Sequence, residues 1–155
     1  MGGAEYMKSI KKYETIINEA LRSALEYDTP EGQINEFISF FGKHIGSDRI
    51  YIFEDDEEHH VTNNTYEWCT EGITPQIEHL QGVNMEVIDW WYDTFDEGKS
   101  VIISDVEELK GVHQVSYNML KYQNVRKVVV SPLRHKGQIK GFFGVDNPPA
   151  VDYNA

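Results

Sequence analysis

The segment Val128-Val129-Val130-Ser131-Pro132-Leu133 is apolar at consecutive positions. Neighbouring side chains of a β-strand point to opposite faces. A strand apolar on both faces needs cover on both sides of its sheet. A His135-Lys136-Gly137-Gln138 turn follows, and then a second apolar run from Ile139 to Val145. The pattern predicts a β-hairpin with Lys136-Gly137 at its tip. The remaining elements must therefore supply partner strands and two covering layers.

Arg49 to Glu54 and Thr65 to Cys69 have the β-branched and aromatic content of strands, and Val101 to Ser104 reads as a shorter one. Residues 10–27 carry Ile10, Tyr13, Ile17, Ala20, Ala24 and Tyr27 at spacings of three and four, which predicts an amphipathic helix. Asp28-Thr29-Pro30-Glu31 restarts the helix, with Thr29 as cap and Pro30 at the first helical position. Ile34, Phe37, Ile38, Phe41 and Ile45 share one face of that second helix, and Gly46 ends it. Residues 72–83 read as a loop. Asn84 caps a helix from Met85 to Glu97 closed by Gly98, with Met85, Ile88, Tyr92 and Phe95 on one face. Residues 114–123 predict a short helix anchored by Val115, Met119 and Tyr122 and ended by Asn124. Tight turns between adjacent strands indicate an antiparallel sheet, and helices before and between the strands indicate an α+β fold. Helices should cover one face, and loops or short helices the other.

A chain of 155 residues suits one domain with a real core. Its net charge of −12 argues against nucleic acid and anionic membranes as partners, since both attract Lys and Arg. No run approaches the roughly 18 apolar residues of a membrane span, and the first residues lack the apolar core of a signal peptide. A cytoplasmic location is expected. The single cysteine, Cys69, excludes an intrachain disulfide and a multi-cysteine zinc site.

The acidic run Glu54 to Glu58 leads directly into His59 and His60. Its spacing is not that of zinc motifs, and a solvated turn between two strands is expected rather than a metal site. Cys69 reads as a structural thiol. Ser104-Asp105 has no fixed histidine partner, and Gly141-Phe142-Phe143-Gly144 reads as strand glycine in close packing rather than a phosphate loop. No catalytic residue is assigned, and no cofactor is identified.

Several blocks together resemble the GAF domain, a ligand-sensing relative of the PAS domain. They are Asp48-Arg49-Ile50-Tyr51-Ile52-Phe53-Glu54, Asn64-Thr65-Tyr66-Glu67-Trp68-Cys69, Ile102-Ile103-Ser104-Asp105-Val106, Val128 to Leu133, and Ile139-Lys140-Gly141-Phe142-Phe143-Gly144-Val145-Asp146. The resemblance spans residues 15–148. Residues 1–14 are then an N-terminal extension with the start of the first helix, and 149–155 a truncated linker. It implies a GAF/PAS-like central antiparallel sheet of five or six strands in the order 2-1-5-4-3, flanked by helices. It also implies a small-molecule pocket on the face opposite the terminal helices, and homodimers formed through those helices. The Asn64 to Cys69 form looks most like sensory GAF domains attached to bacterial GGDEF-type diguanylate cyclases and related signalling proteins, so a covalently linked output domain is expected.

Trp68, Trp90, Trp91, Tyr92 and Tyr117 lie in or beside the segments that wall such a pocket, and aromatic walls suit a small planar ligand. Trp90 and Trp91 are adjacent on a helix, about 100° apart, so one faces the pocket or core and the other outward. Asp105 and Arg134 are candidate polar contacts, although Asp105 equally suits a cap on the next turn. The expected role is ligand binding without catalysis. The alternative is a ligand-free GAF-like module that dimerises.

Overall fold

The computed structural model describes residues 3–149, and side chains within that range except those of residues 5–10. Two N-terminal helices, α1 (Gly3–Ala24) and α2 (Pro30–Ile45), precede the sheet. The strands are β1 (Arg49–Asp56), β2 (Val61–Cys69), β3 (Val83–Asn84), β4 (Val101–Ile103), β5 (Val128–His135) and β6 (Gln138–Asp146). Helices α3 (Asp89–Asp96) and α4 (Gln114–Tyr122) lie between strands, with single 3-10 turns at Ile77–His79, Met85–Ile88 and Val106–Leu109.

The strands form one antiparallel sheet in the order β3-β2-β1-β6-β5-β4. Counting only the five strands expected from sequence, this is the order 2-1-5-4-3. The added strand is the two-residue β3 at the edge, inside the segment expected to be loop. The fold is α+β, as the sequence pattern predicted, with the strand order that the resemblance implied.

Local chemistry sets the boundaries. Thr29 Oγ1 accepts from Gly32 N at 3.0 Å, Pro30 opens α2, and Gly46 ends it with φ 76°. Asn84 Oδ1 accepts from Glu86 N at 2.9 Å and starts the turn into α3. Lys136 and Gly137, both at positive φ, make the tip of the β5–β6 hairpin. The acidic-histidine run is the β1–β2 turn: residues 57–60 are exposed, and His59 Nδ1 lies 2.7 Å from Asp56 Oδ2.

The two sheet faces have separate cores. On one, α1 and α2 pack Ile16, Ile38 and Ile45 against Ile50 and Val145. On the other, α3, α4 and the 3-10 turns pack Trp91, Phe95, Val106 and Leu120 against Phe53, Val128, Val130 and Phe142.

Two predicted helix faces are rotated. In α1 the buried residues are Ile16, Ala20 and Ala24, while Ile17 turns outward with Leu21 and Leu25. Small residues at 20 and 24 let α2 approach on the Ile16 side, and Ile17, about 100° round from Ile16, is left at the margin of the buried stripe. Ile10 has its side chain outside the described residues. In α4 the buried residues are Ser116 and Leu120, whereas Val115 and Tyr122 are exposed. The Ser116 hydroxyl donates to Val87 O at 3.3 Å, so a polar residue occupies the inner face.

Helix α2 lies close against the sheet at Gly42. A Cβ there would meet the Trp68 ring at 2.4 Å and Ile50 Cγ1 at 2.7 Å. Gly42→Ala gains about 1 kcal/mol of helix propensity but overpacks at a cost of about 1–3 kcal/mol. A net destabilisation is expected in urea unfolding. A midpoint equal to or above that of the parent protein would mean that α2 stands farther from the sheet.

Candidate functional site

Strand alternation aims Arg49, Tyr51 and Phe53 of β1 away from α1 and α2, toward the α3–α4 side. On β6, Phe142, Gly144 and Asp146 follow the same parity. On β2 the register shifts at Ile52/Phe53, so that Tyr66 pairs with Ile52 and Asn64 with Phe53. Thr65 is the extra residue of this bulge. The bulge inverts the parity of β2, so Glu67 on one side of it and Asn64 and Thr62 on the other all face inward.

Arg49, Tyr51, Phe53, Phe142, Glu67, Asn64 and Thr62, with Trp91, Ile88, Leu80, Met119 and Gln123 above them, line a cavity of about 30 Å³. One end is aromatic. Phe53 and Phe142 stack with centroids 4.7 Å apart, and Trp91 meets Phe142 edge-on at 5.5 Å.

The other end is ionic. Arg49 Nη1 donates to Asp146 Oδ2 at 2.6 Å, and Nη2 donates to Thr74 O at 2.8 Å. Arg49 Nε lies 3.5 Å from Glu67 Oε2. Glu67 in turn accepts from Gln76 N at 2.9 Å and Ile77 N at 3.3 Å. One buried arginine and one carboxylate thus hold the segment after β2 onto the sheet. Gly144 lets the Tyr51 ring cross β6, since a Cβ there would meet that ring at 2.0 Å. The Tyr51 phenol is brought toward Asp146, and burial together with that carboxylate pushes its pKa well up. Burial raises Asp146 to about 6, with Arg49 opposing the rise. Three buried polar atoms have no hydrogen-bond partner among the described residues: Arg49 Nε, Asp146 Oδ1 and Trp91 Nε1.

An outer recess of about 370 Å³ adjoins this end and shares Arg49 and Gln123 with the cavity. Its other walls include Asp48, Thr74, Tyr122 and Asn147.

The residues singled out from sequence do not converge. Trp91 is buried and lines the cavity. Trp90 turns the other way, stacks on His113 at 4.1 Å and donates from Nε1 to Ser116 Oγ at 3.0 Å. It walls a separate open groove of about 570 Å³ with Glu86, Asp89 and Asp93. Trp68 lies on the opposite sheet face, packed with the α1–α2 core. Asp105 caps the Val106 turn, accepting from Glu107 N at 3.0 Å. The Tyr117 hydroxyl donates to Glu107 Oε2 at 3.0 Å. Arg134, near the hairpin tip, donates to Phe95 O at the end of α3. Cys69 pairs with Arg49 across β1 and β2, and burial pushes its thiol pKa up.

Sequence reasoning missed Arg49, Tyr51, Glu67 and Asp146 as a group. The available signal was parity: Arg49 shares a face with Tyr51 and Phe53, where a charge is costly unless paired.

The Asp146 shift has a definite sign. Its folded pKa, about 6, lies above the ordinary 3.8. The group therefore favours the fold fully at low pH, and this contribution is lost as pH rises from 3.8 through 6. Asp146→Asn removes the titration. Stability of the variant relative to the parent should increase from about pH 4 to about pH 7, measured by urea unfolding. A constant difference across that range would contradict the assignment.

No protein-family model and no curated protein matches the chain. Solved structures do. The phycocyanobilin-bound GAF domain of a cyanobacterial phytochrome is similar with a TM-score of 0.71 and 16% identity, over 91% of this chain and 84% of that one. The GAF domain of the cyanobacteriochrome TePixJ is similar with a TM-score of 0.62 and 14% identity, over 84% and 81%. The NreA protein of Staphylococcus aureus, mutated in its nitrate binding site, is similar with a TM-score of 0.59 and 17% identity, over 81% and 94%. The sheet order, the two covered faces and these likenesses together establish that the chain has the fold of GAF domains.

Proposed function

We propose that this chain is a sensory GAF domain of a bacterial signalling protein. It binds a small molecule in the cavity between the sheet and α3–α4, and relays occupancy to a covalently attached output domain such as a diguanylate cyclase. The observation that carries this reading is a pair of unpartnered donors, Arg49 Nε and Trp91 Nε1, on buried side chains that line that cavity. Native interiors rarely leave such atoms unsatisfied, and a ligand supplies the missing partners. Similar folds bind phycocyanobilin in one case and carry a nitrate binding site in another. A cavity of about 30 Å³ calls for something far smaller than a tetrapyrrole. The domain does not itself catalyse a reaction, and its site is cytoplasmic. Among the sequence-derived candidates, Trp91 is the direct contact.

Relay requires the ligand to favour one of two arrangements of the terminal helices. The tie from Arg49 to Thr74 and from Glu67 to Gln76 links the cavity to the loop after β2. Arg49 also begins β1, three residues after α2 closes at Gly46.

A second reading, a homodimerising module without a ligand, is favoured by one observation. Ile17, Leu21 and Leu25 form an exposed apolar line along α1 and just beyond it. Dimerisation through this line is compatible with sensing, and a sensor would also be a homodimer.

Native mass spectrometry of freshly purified protein separates the two readings. The sensory reading expects extra mass that is lost on denaturation. A clean apo mass, together with no thermal shift by any member of a metabolite panel, would leave the dimerisation module. Leu21→Glu should make sedimentation monomeric if α1 carries the dimer, and unchanged sedimentation would remove that role.

A further inference from the structure

We propose that the outer recess beside Arg49 is a binding site for a neutral monosaccharide in its pyranose form. This goes beyond the sensory reading, because the recess can take its ligand whether or not the inner cavity is filled. Its volume of about 370 Å³ lies within the roughly 300–1,000 Å³ of small-molecule sites.

The walls are held by bonds within the protein. Arg49 Nη2 donates to Thr74 O at 2.8 Å and fixes the segment after β2. Beyond α4, Asn147 Nδ2 donates to Asp48 Oδ2 at 2.8 Å and to Asn124 O at 3.2 Å. Asn147 Oδ1 accepts from Arg126 N at 2.8 Å and Lys127 N at 3.0 Å. The charged groups are thus spent on protein partners: Arg49 stands against the buried Asp146 and Glu67, and Asp48 is held by Asn147.

What remains free is neutral. Gln76 is only 8% exposed. Its backbone N–H donates to Glu67 Oε2 at 2.9 Å, and its carbonyl accepts from His79 N at 2.9 Å. Its carboxamide has no hydrogen-bond partner among the described residues and is not sealed from solvent, so it is the polar group that Gln76 offers the recess. A side chain so deeply buried seldom leaves its amide unpaired. The Gln123 carboxamide, which borders both the recess and the cavity, is also without a partner among the described residues. Tyr122, the last residue of α4, borders the recess and is 83% exposed.

These groups select the ligand class. A carboxamide carries an acceptor and a donor in one plane, and a hydroxyl also donates and accepts. Neighbouring hydroxyls of a pyranose ring can therefore pair with both atoms of one carboxamide. An anion would find the Arg49 charge already matched by two carboxylates. A cation would lie beside the Arg49 guanidinium. A flat heteroaromatic ring favours apolar cover on both faces, whereas a pyranose needs one aromatic wall for its C–H face. Tyr122 supplies that wall, and the hydroxyls are left to the amides.

The test uses isotope-labelled parent protein and four probes added singly: D-glucose, D-galactose, D-mannose and N-acetyl-D-glucosamine. The readout is the side-chain NH₂ signals of Gln76 and Gln123, assigned with Gln76→Met and Gln123→Met. At least one sugar should move both signals saturably. Tyr122→Ala, at an exposed position, should weaken that binding about three- to tenfold, and Gln76→Met should weaken it about tenfold. If Gln76→Met does not fold, Tyr122→Ala still decides. No saturable shift with any of the four sugars, or affinity unchanged in Tyr122→Ala, would overturn the inference. Nicotinamide or inorganic phosphate moving the same signals as strongly as the sugars would also overturn it. The indole N–H signal of Trp91 reports the inner cavity separately. Sugar shifts at both glutamines with an unmoved Trp91 signal support the recess site, and their absence removes it while leaving the sensory reading intact.

Discussion

The buried contact between Arg49 and Asp146 joins the first and last strands at the middle of the sheet, and much else depends on it. The two residues are direct partners in the β1–β6 register, and the ion pair closes at 2.6 Å with both side chains almost fully buried. Breaking such a pair from one side typically costs about 3–5 kcal/mol, because the other charge is left buried alone. Arg49 does more than pair. Through Thr74 O, and beside Glu67, it holds down the segment after β2, which walls the outer recess. An apolar core could hold the strands together without these charges. Arg49 lines a cavity, and its Nε and Trp91 Nε1 are donors left over there, which is the physical reason to read the spot as a binding site.

The sheet divides the work between its faces. The α1–α2 face is closely packed: Gly42 admits the Trp68 ring, and Ile38 and Ile50 are fully buried against each other's layer. The α3–α4 face is roofed instead by short helices, single 3-10 turns and loops. Short elements carry fewer contacts and open at lower cost than long helices. The rigid face positions the strands, and the roof leaves room for the cavity. The bulge at Thr65 joins these roles, since it brings Asn64 and Thr62 to the cavity side and leaves Tyr66 and Trp68 with the helices.

Much of the fold was legible in the sequence because its signals are local. Thr29-Pro30, Gly46, Asn84 and Lys136-Gly137 act through their own backbone geometry. Five strands and their order followed from apolar patterning together with the resemblance. The face of α1 was less legible: Ile16 and Ile17 are equally apolar, and only the approach of α2 over Ala20 and Ala24 decides between them. The site was least legible. Trp91 was picked out by its chemistry, but Trp68 was assigned to the pocket without allowing for strand parity. Arg49 and Asp146 lie 97 positions apart in sequence. Nothing local marks them as partners, and the bulge that decides which β2 side chains join them has no strong sequence signature. Asp105 caps a 3-10 turn, Tyr117 in α4 bonds Glu107, and Arg134 on β5 bonds the end of α3, so each is occupied away from the cavity.

A high-resolution crystal structure of protein purified without added ligand tests the central claim most directly. The expected result is non-protein density in the cavity, with atoms within hydrogen-bond distance of Trp91 Nε1 and Arg49 Nε. A cavity closed by side chains, with both nitrogens bonded to protein groups, would contradict it.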